Sequence, residues 1–293
     1  MIVPPGATTP YVWDAHRLHF SYDTTPPFGS KDHFFHFLHG YLIPALCISH
    51  ETLCRHVCFE DCGPLMNPKL AEACQLAFLD LSPSIQHNLQ NQPYCISCPV
   101  PRWDEQLLRF DGPSQTLNEI KAFRSKTAYI RQLMLDRSRT ICKNQDTLEH
   151  WQQTDILVLK RSPDHPYYAP GGQSRFPKYG SGRRSLLNTS EIAAYLAASG
   201  RLVKEVDMGQ LPLWEQIMAF HSASGVVGAR GAEFAHMFWM QPGATAVMFA
   251  TPCNKENNAS RSLSEIFDIR FISPKVKGNF FSIQPEEVCA YLS

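Results

Sequence analysis

The sequence predicts an α/β protein in which two nucleotide-binding-like halves, residues 1–150 and 151–293, face a cleft. Three observations carry this expectation. In the C-terminal half, short apolar runs alternate with amphipathic segments, the pattern of a parallel sheet covered on both faces. One of those runs, "GVVG", is apolar throughout, as a strand buried on both faces must be. A chain of 293 residues, 44% hydrophobic and 18% charged, can bury two modest cores.

The elements follow in order. "HFFHFLHGYLIPAL" (33–46) is apolar nearly all round, so it reads as a buried helix with embedded histidines. "RHVCFEDC" is a strand running into a turn, "PKLAEACQLAFLDL" a helix and "QPYCISCPVPRW" another strand. "QTLNEIKAFRSKTAYIRQLML" (115–135) has helical periodicity, and residues 138–154 read as the connection between halves. "DILVLKRS" (155–162) is a buried strand, followed by a loop rich in Pro, Gly and Tyr over residues 163–182. "NTSEIAAYLAASG" opens a helix at Asn188 or Thr189 and stops it at Gly200. "RLVKEVDM" is a strand, and "PLWEQIMAFHSA" a helix starting near Pro212. After "GVVG", "AEFAHMFWM" reads as a helix, and "ATAVMF" and "DIRFIS" as strands.

Composition excludes several classes. Lys+Arg and Asp+Glu balance at 27 each, so no global field draws the chain to nucleic acid or membrane, and an anionic ligand needs a local cluster. No apolar stretch has the length of a transmembrane span. The opening "MIVPPGATTPYVWDAH" lacks a basic region followed by an apolar one, so a cytoplasmic location and free thiols are expected for the ten cysteines. Cys54, Cys58 and Cys62, with His50 and His56 nearby, offer zinc as an alternative to a strand and turn.

Three stretches carry chemistry. Gly228 and Gly231 flank Arg230 between a strand and a helix. Such a turn brings backbone close to a ligand, offers unpaired N–H groups and adds a guanidinium that forks onto phosphate oxygens. The alternative is a glycine turn with a solvent-facing arginine. Arg161 ends a strand, and Arg183 and Arg184 close the following loop. Together with Arg230 they would put several guanidinium groups at one sheet edge, enough for a diphosphate, unless the loop is simply solvated. His33, His36 and His39 follow an i, i+3, i+6 spacing near one face. They are either a catalytic base and sugar-binding groups or satisfied core histidines.

Taken together, these stretches resemble the family 61 glycosyltransferases, a group that includes xylosyltransferases and O-linked N-acetylglucosaminyltransferases. The resemblance rests on Arg161, on "RSLLN" from Arg184 to Asn188, and on Glu215, Gln216 and Ile217. It continues through Arg230-Gly231-Ala232-Glu233-Phe234 and Pro242-Gly243, with "FHFLHGYLIPAL" as the N-terminal helix. It spans roughly residues 30 to 250. It implies a GT-B type pair of Rossmann-like domains, inversion and a UDP-sugar donor, with UDP-xylose and UDP-N-acetylglucosamine suggested. It also implies a glycan or glycoprotein acceptor and no bound metal or other cofactor. Arg161, Arg183, Arg184, Asn188, Glu215, Gln216, Gly228, Arg230, Gly231 and Ala232 are then donor-site candidates. The sequence contains no Asp-x-Asp, the usual metal–diphosphate element of the other major glycosyltransferase fold. Two departures bear on catalysis. The family's glycine-turn histidine is Arg230 here, with Glu233 in place of a glycine. The acidic residue expected near the end of the N-terminal helix is Gly40 or Tyr41. Asp32, His36, His39 and Glu233 remain candidates for the base. A non-catalytic sugar-nucleotide or glycan-binding relative is the alternative. Neither a G-x-S-x-G elbow nor a G-x-G-x-x-G fingerprint is present, which disfavours hydrolases and reductases of similar architecture.

Overall fold

A computed structural model describes residues 17–22, 30–81, 95–108, 117–173, 180–251 and 258–293. The first 16 residues, residues 174–179 of the long loop and Cys253 lie outside the described residues. The expected mixed α/β architecture is present, and both main sheets are parallel throughout.

The N-terminal half begins with β1 (Arg17–Ser21) and a helix in three parts: α1 (Phe34–His36), a π-helical stretch (Phe37–Leu42) and α2 (Ile43–Glu51). Next come β2 (His56–Phe59), α3 (Met66–Leu76), β3 (Asp80–Leu81), β4 (Cys95–Pro99) and α4 (Trp103–Leu108). The sheet order is β3-β2-β1-β4. α5 (Leu117–Asn144) and α6 (Leu148–Gln152) lead into the second half. There β5 (Ile156–Lys160), β6 (Ser185–Leu186), α7 (Thr189–Ala198), β7 (Val203–Asp207), α8 (Leu213–Ser222) and β8 (Gly225–Ala229) follow. β9 (Thr245–Phe249), α9 (Asn258–Phe267), β10 (Arg270–Ile272), β11 (Phe280–Phe281) and α10 (Pro285–Tyr291) complete the chain. The second sheet has the order β10-β9-β8-β5-β7, and β6 pairs with β11 apart from it.

β5, β8 and β9 form the middle of this sheet, and β8 and β9 are buried at every residue. A parallel strand covered by helices on both faces tolerates only apolar or small residues. Gly228 lies inside β8, not after it. A Cβ there would come 2.9 Å from Leu159 Cβ, so strand packing requires a glycine at this position. One continuous cluster of buried side chains runs from Leu18 and Phe20, through Tyr41, Leu42 and Met134, to Phe220, Trp239 and Ile269.

Three expectations are corrected. α5 runs on to Asn144, so the first part of the proposed 138–154 connection is helical. Two of its threonines turn their hydroxyls back onto the helix: Thr127 Oγ1 donates to Phe123 O (2.9 Å) and Thr140 Oγ1 to Asp136 O (2.9 Å). "AEFAHMFWM" is a 3-10 helix (Ala232–Trp239), unusually long for that type. Arg131 of α5 holds its end: Nε donates to Phe238 O (2.7 Å) and Nη2 to Trp239 O (3.2 Å) and Met240 O (2.8 Å). Finally, a π-helical stretch interrupts the helix of the three histidines. Only His39 lies within that stretch, and the partners of the three differ, as described next.

Candidate active site

In open parallel sheets, ligands sit beyond the carboxyl ends of the strands. Arg161 and Ser162 follow β5, Met208 follows β7 and Arg230 follows β8. Arg183 and Arg184 reach the same place from the segment before β6. The charges acting most strongly on Arg184 are Arg230, Arg183 and Arg161, with Glu233 opposing them. Burial, and then those neighbouring guanidinium groups, pull Arg184 down to about 9. Arg161 Nη1 donates to Glu233 Oε2 at 2.5 Å. Arg161 is thus paired, and Arg184 sits among three further guanidinium groups with Glu233 the carboxylate that opposes them. Arg161 Nε and Arg184 Nε are buried and have no partner among the described protein atoms. A buried donor left unmade costs roughly 1–3 kcal/mol. Repelling charges and unmet donors at one strand edge are the mark of a site completed by an anion.

Gly231 makes the Arg161–Glu233 pair possible. Its φ of −164° is ordinary extended backbone, so its smallness matters for space and not for conformation. A Cβ would lie 2.0 Å from both Arg161 Nη1 and Glu233 Oε2. Gly231→Ala is expected to split this pair and weaken binding of an anionic ligand such as pyrophosphate several-fold while shifting the melting temperature little. Parallel titration calorimetry and thermal melts would check this; unchanged binding contradicts it.

Beside the arginines lies a cavity of about 400 Å³, open to both halves of the chain. Phe34, Leu65, Met66, Met208, Leu211 and Pro212 give it apolar walls, and Ala232 and Glu233 border it toward the charge cluster. Gln216 fixes its floor. Its Nε2 donates to Met208 O and Leu211 O (2.7 Å each), and its Oε1 pairs with His236 Nε2 at 2.8 Å. Lys69 Nζ donates to Leu211 O at 3.1 Å from the other side.

The remaining candidates separate clearly. Glu215 Oε1 accepts from Trp151 Nε1 (3.0 Å), so its carboxylate is engaged with α6. Asn188 stands at the start of α7 without capping it. Its Nδ2 donates to Ile283 O (2.9 Å) and its Oδ1 accepts from Ile283 N (3.1 Å), tying down the C-terminal segment. Arg230 N donates to Phe249 O (2.8 Å), so that N–H belongs to the sheet edge rather than to a ligand.

Among the histidines, His33 precedes the helix with its ring 5.2 Å from that of Tyr168. His39 is fully buried, and its Nε2 is 3.1 Å from Ala235 O. Burial pushes it down to about 4, so it is neutral at pH 7 and out of reach as a base. The sign of its linkage follows. The unfolded chain has a histidine near 6.5, so it binds more protons than the folded state between that value and about 4. Stability is expected to fall as pH drops through this window and level off below it. Urea midpoints at about pH 7 and about pH 4.5 would test this; equal midpoints contradict it. Asp32 is buried, and its backbone oxygen accepts from the Tyr168 hydroxyl.

His36 is partly exposed, as His33 is, but differs from both other histidines in its close carboxylate partner: its Nδ1 lies 2.7 Å from Asp104 Oδ2. Asp104, missed in the sequence, is fully buried and also accepts from Tyr22 OH (2.9 Å) and Arg102 Nε (3.0 Å). Hydrogen bonds and charge from His36 and Arg102 outweigh burial and hold its carboxyl well below the usual range. Tyr22 follows β1 and Asp104 follows β4, so this cluster occupies the carboxyl edge of the first sheet.

The proposed zinc alternative has no counterpart here. Cys54 Sγ donates to His56 O and Cys62 Sγ to Glu60 O, both at 3.3 Å. Among the described residues no group of three His, Cys, Asp or Glu is placed to hold a metal ion. Likewise, no described helix is long and apolar enough to cross a membrane.

No curated protein gives a significant match to the chain. The profile of the Glycosyltransferase 61 family matches residues 34–248, well over half of the chain. That span runs from Phe34, at the cavity wall, through every arginine of the cluster to the last central strand. The chain belongs to the glycosyltransferase 61 family.

Proposed function

We propose that this protein is an inverting glycosyltransferase that moves a sugar, xylose or N-acetylglucosamine, from a UDP-sugar to a hydroxyl of a glycan or glycoprotein. One observation supports the reading most: at the carboxyl edge of the second sheet Arg184 is crowded by Arg230, Arg183 and Arg161, with Glu233 opposing them. Leaving-group charge grows on the diphosphate as the glycosidic bond breaks. Fixed guanidinium groups stabilise that charge without needing a metal. The apolar cavity beside them takes the uncharged part of the donor. Residues 151–293 would then hold the donor, and residues 1–150 would present the base to the acceptor.

In this mechanism His36 removes the acceptor proton. Its partial exposure favours it over the buried His39 and Asp32. Its Nε2, free among the described residues beside a carboxylate-bound Nδ1, favours it over Glu233, which is paired with Arg161. The acceptor oxygen attacks the anomeric carbon from the face opposite the diphosphate, which inverts the configuration. Glu233 keeps Arg161 in place until the donor arrives. The acidic residue expected near the end of the helix is Gly40 or Tyr41, which motivates the second reading of a donor-binding protein without turnover.

Donor hydrolysis and sugar transfer, assayed with UDP-xylose and UDP-N-acetylglucosamine in a chelator, test the proposal. UDP release in the chelator supports it. Release that vanishes with the chelator and returns with manganese would overturn its metal independence. Tight UDP binding with no turnover on any acceptor would favour the second reading.

A further inference from the structure

We infer that Asp104 is the positioning residue for His36 and that Gly40 exists to admit it. This rests on the transferase reading above. A Cβ on Gly40 would lie 2.5 Å from Asp104 Cγ and Oδ1 and 2.7 Å from Oδ2. All three of its nearest neighbours belong to that one carboxyl group. Asp104 thus sits where a side chain at position 40 would stand, one helical turn beyond His36. A carboxylate supplied by α4 fills the space beside the π-helical turn.

The surroundings fit a relay better than a simple buried ion pair. Arg102 bonds both oxygens of Asp104, through Nε (3.0 Å) and Nη2 (3.1 Å), and its guanidinium carbon stands 4.2 Å over the Tyr22 ring. Arg102 is itself shared with Glu105, whose Oε1 lies 3.2 Å from Nη1, so it bonds Asp104 as one member of a larger charged cluster. The shortest of these bonds goes to His36 Nδ1, at 2.7 Å. With Asp104 accepting from Nδ1–H, the lone pair falls on Nε2. Nε2 takes the proton of the acceptor hydroxyl. The acceptor oxygen forms its bond to the anomeric carbon, and the bond to the β-phosphate oxygen breaks. Its electron pair leaves with the nucleoside diphosphate. Asp104 steadies the imidazolium and stays ionised.

The test begins with the wild-type protein carrying ¹⁵N-labelled histidine. The ring of His36 is expected as the Nδ1–H tautomer near pH 8; an Nε2–H tautomer overturns the inference whatever the enzyme's activity. Asp104→Asn should lower kcat on the order of a hundredfold or more, with KM for the donor little changed, because an amide can favour the wrong tautomer. The variant Gly40→Asp/Asp104→Gly returns a carboxylate to the same space from the helix itself. It should recover at least about a tenth of the lost rate, a rescue that a merely structural aspartate would not show. Asp104→Asn with wild-type kcat, or a folded double variant no faster than Asp104→Asn, would overturn the inference. If neither variant folds, the ring spectrum alone decides. A wild-type protein that neither hydrolyses nor transfers any nucleotide sugar would sink the transferase reading itself, and the assignment of Asp104 with it.

Discussion

Replacing Arg184 with alanine is expected to lower turnover by roughly a hundredfold or more while leaving the melting temperature unchanged or higher. The two halves of this expectation have one origin. Arg184 is pressed by three other guanidinium groups and by its own burial, and one of its buried donors has no protein partner. Removing it relieves repulsion in the empty protein. In the proposed donor complex the same charge would face the diphosphate, and losing one such hydrogen-bond donor typically costs about 3 kcal/mol in the transition state. An arginine kept for structure would behave in the opposite way, with a lower melting point and unchanged turnover. Arg184→Lys should recover only part of the rate, since an ammonium cannot fork onto two oxygens. Calorimetric melting of the apo protein together with kcat/KM checks both halves. A melting point several degrees lower with normal turnover contradicts the assignment.

His36→Ala should reduce kcat by about 10²–10⁴, the usual contribution of a positioned general base. UDP affinity should stay within about twofold, because the arginine cluster lies on the other sheet. Rate measurements at saturating donor, paired with UDP titration, separate the two effects. A parallel loss of affinity would place His36 in the donor site and remove it as the base.

Much of this site was legible in the sequence, for identifiable reasons. Arginines that follow apolar strands stand at the carboxyl edge of a parallel sheet by topology alone. Arg161, Arg184 and Arg230 therefore converge although roughly seventy residues separate the first from the last. The strands themselves were readable because burial on both faces leaves so few residue types. Three things were not. β6 and β11 are two residues each, too short to carry any period. The 3-10 segment 232–239 has the same apolar content as an α-helix; tertiary contacts, including the Arg131 bonds to its last carbonyls, select the tighter form. The third was Asp104. Its partner lies 68 positions away, and only folding brings β1, β4 and the histidine helix together. Gly40 was the one hint: a glycine in an otherwise apolar helix leaves room for something. Glu215 and Asn188 show the reverse limit, since a motif position reveals nothing about whether the side chain points to the ligand or to Trp151 and Ile283.

The most direct test of the account is calorimetric titration of UDP, in a chelator, into the wild-type protein and Arg184→Ala. The arginine edge as diphosphate site predicts metal-free binding to the wild type, weakened at least about tenfold in the variant, or ~1.4 kcal/mol. Equal affinity in both proteins, or binding to the wild type only when manganese is added, would contradict it.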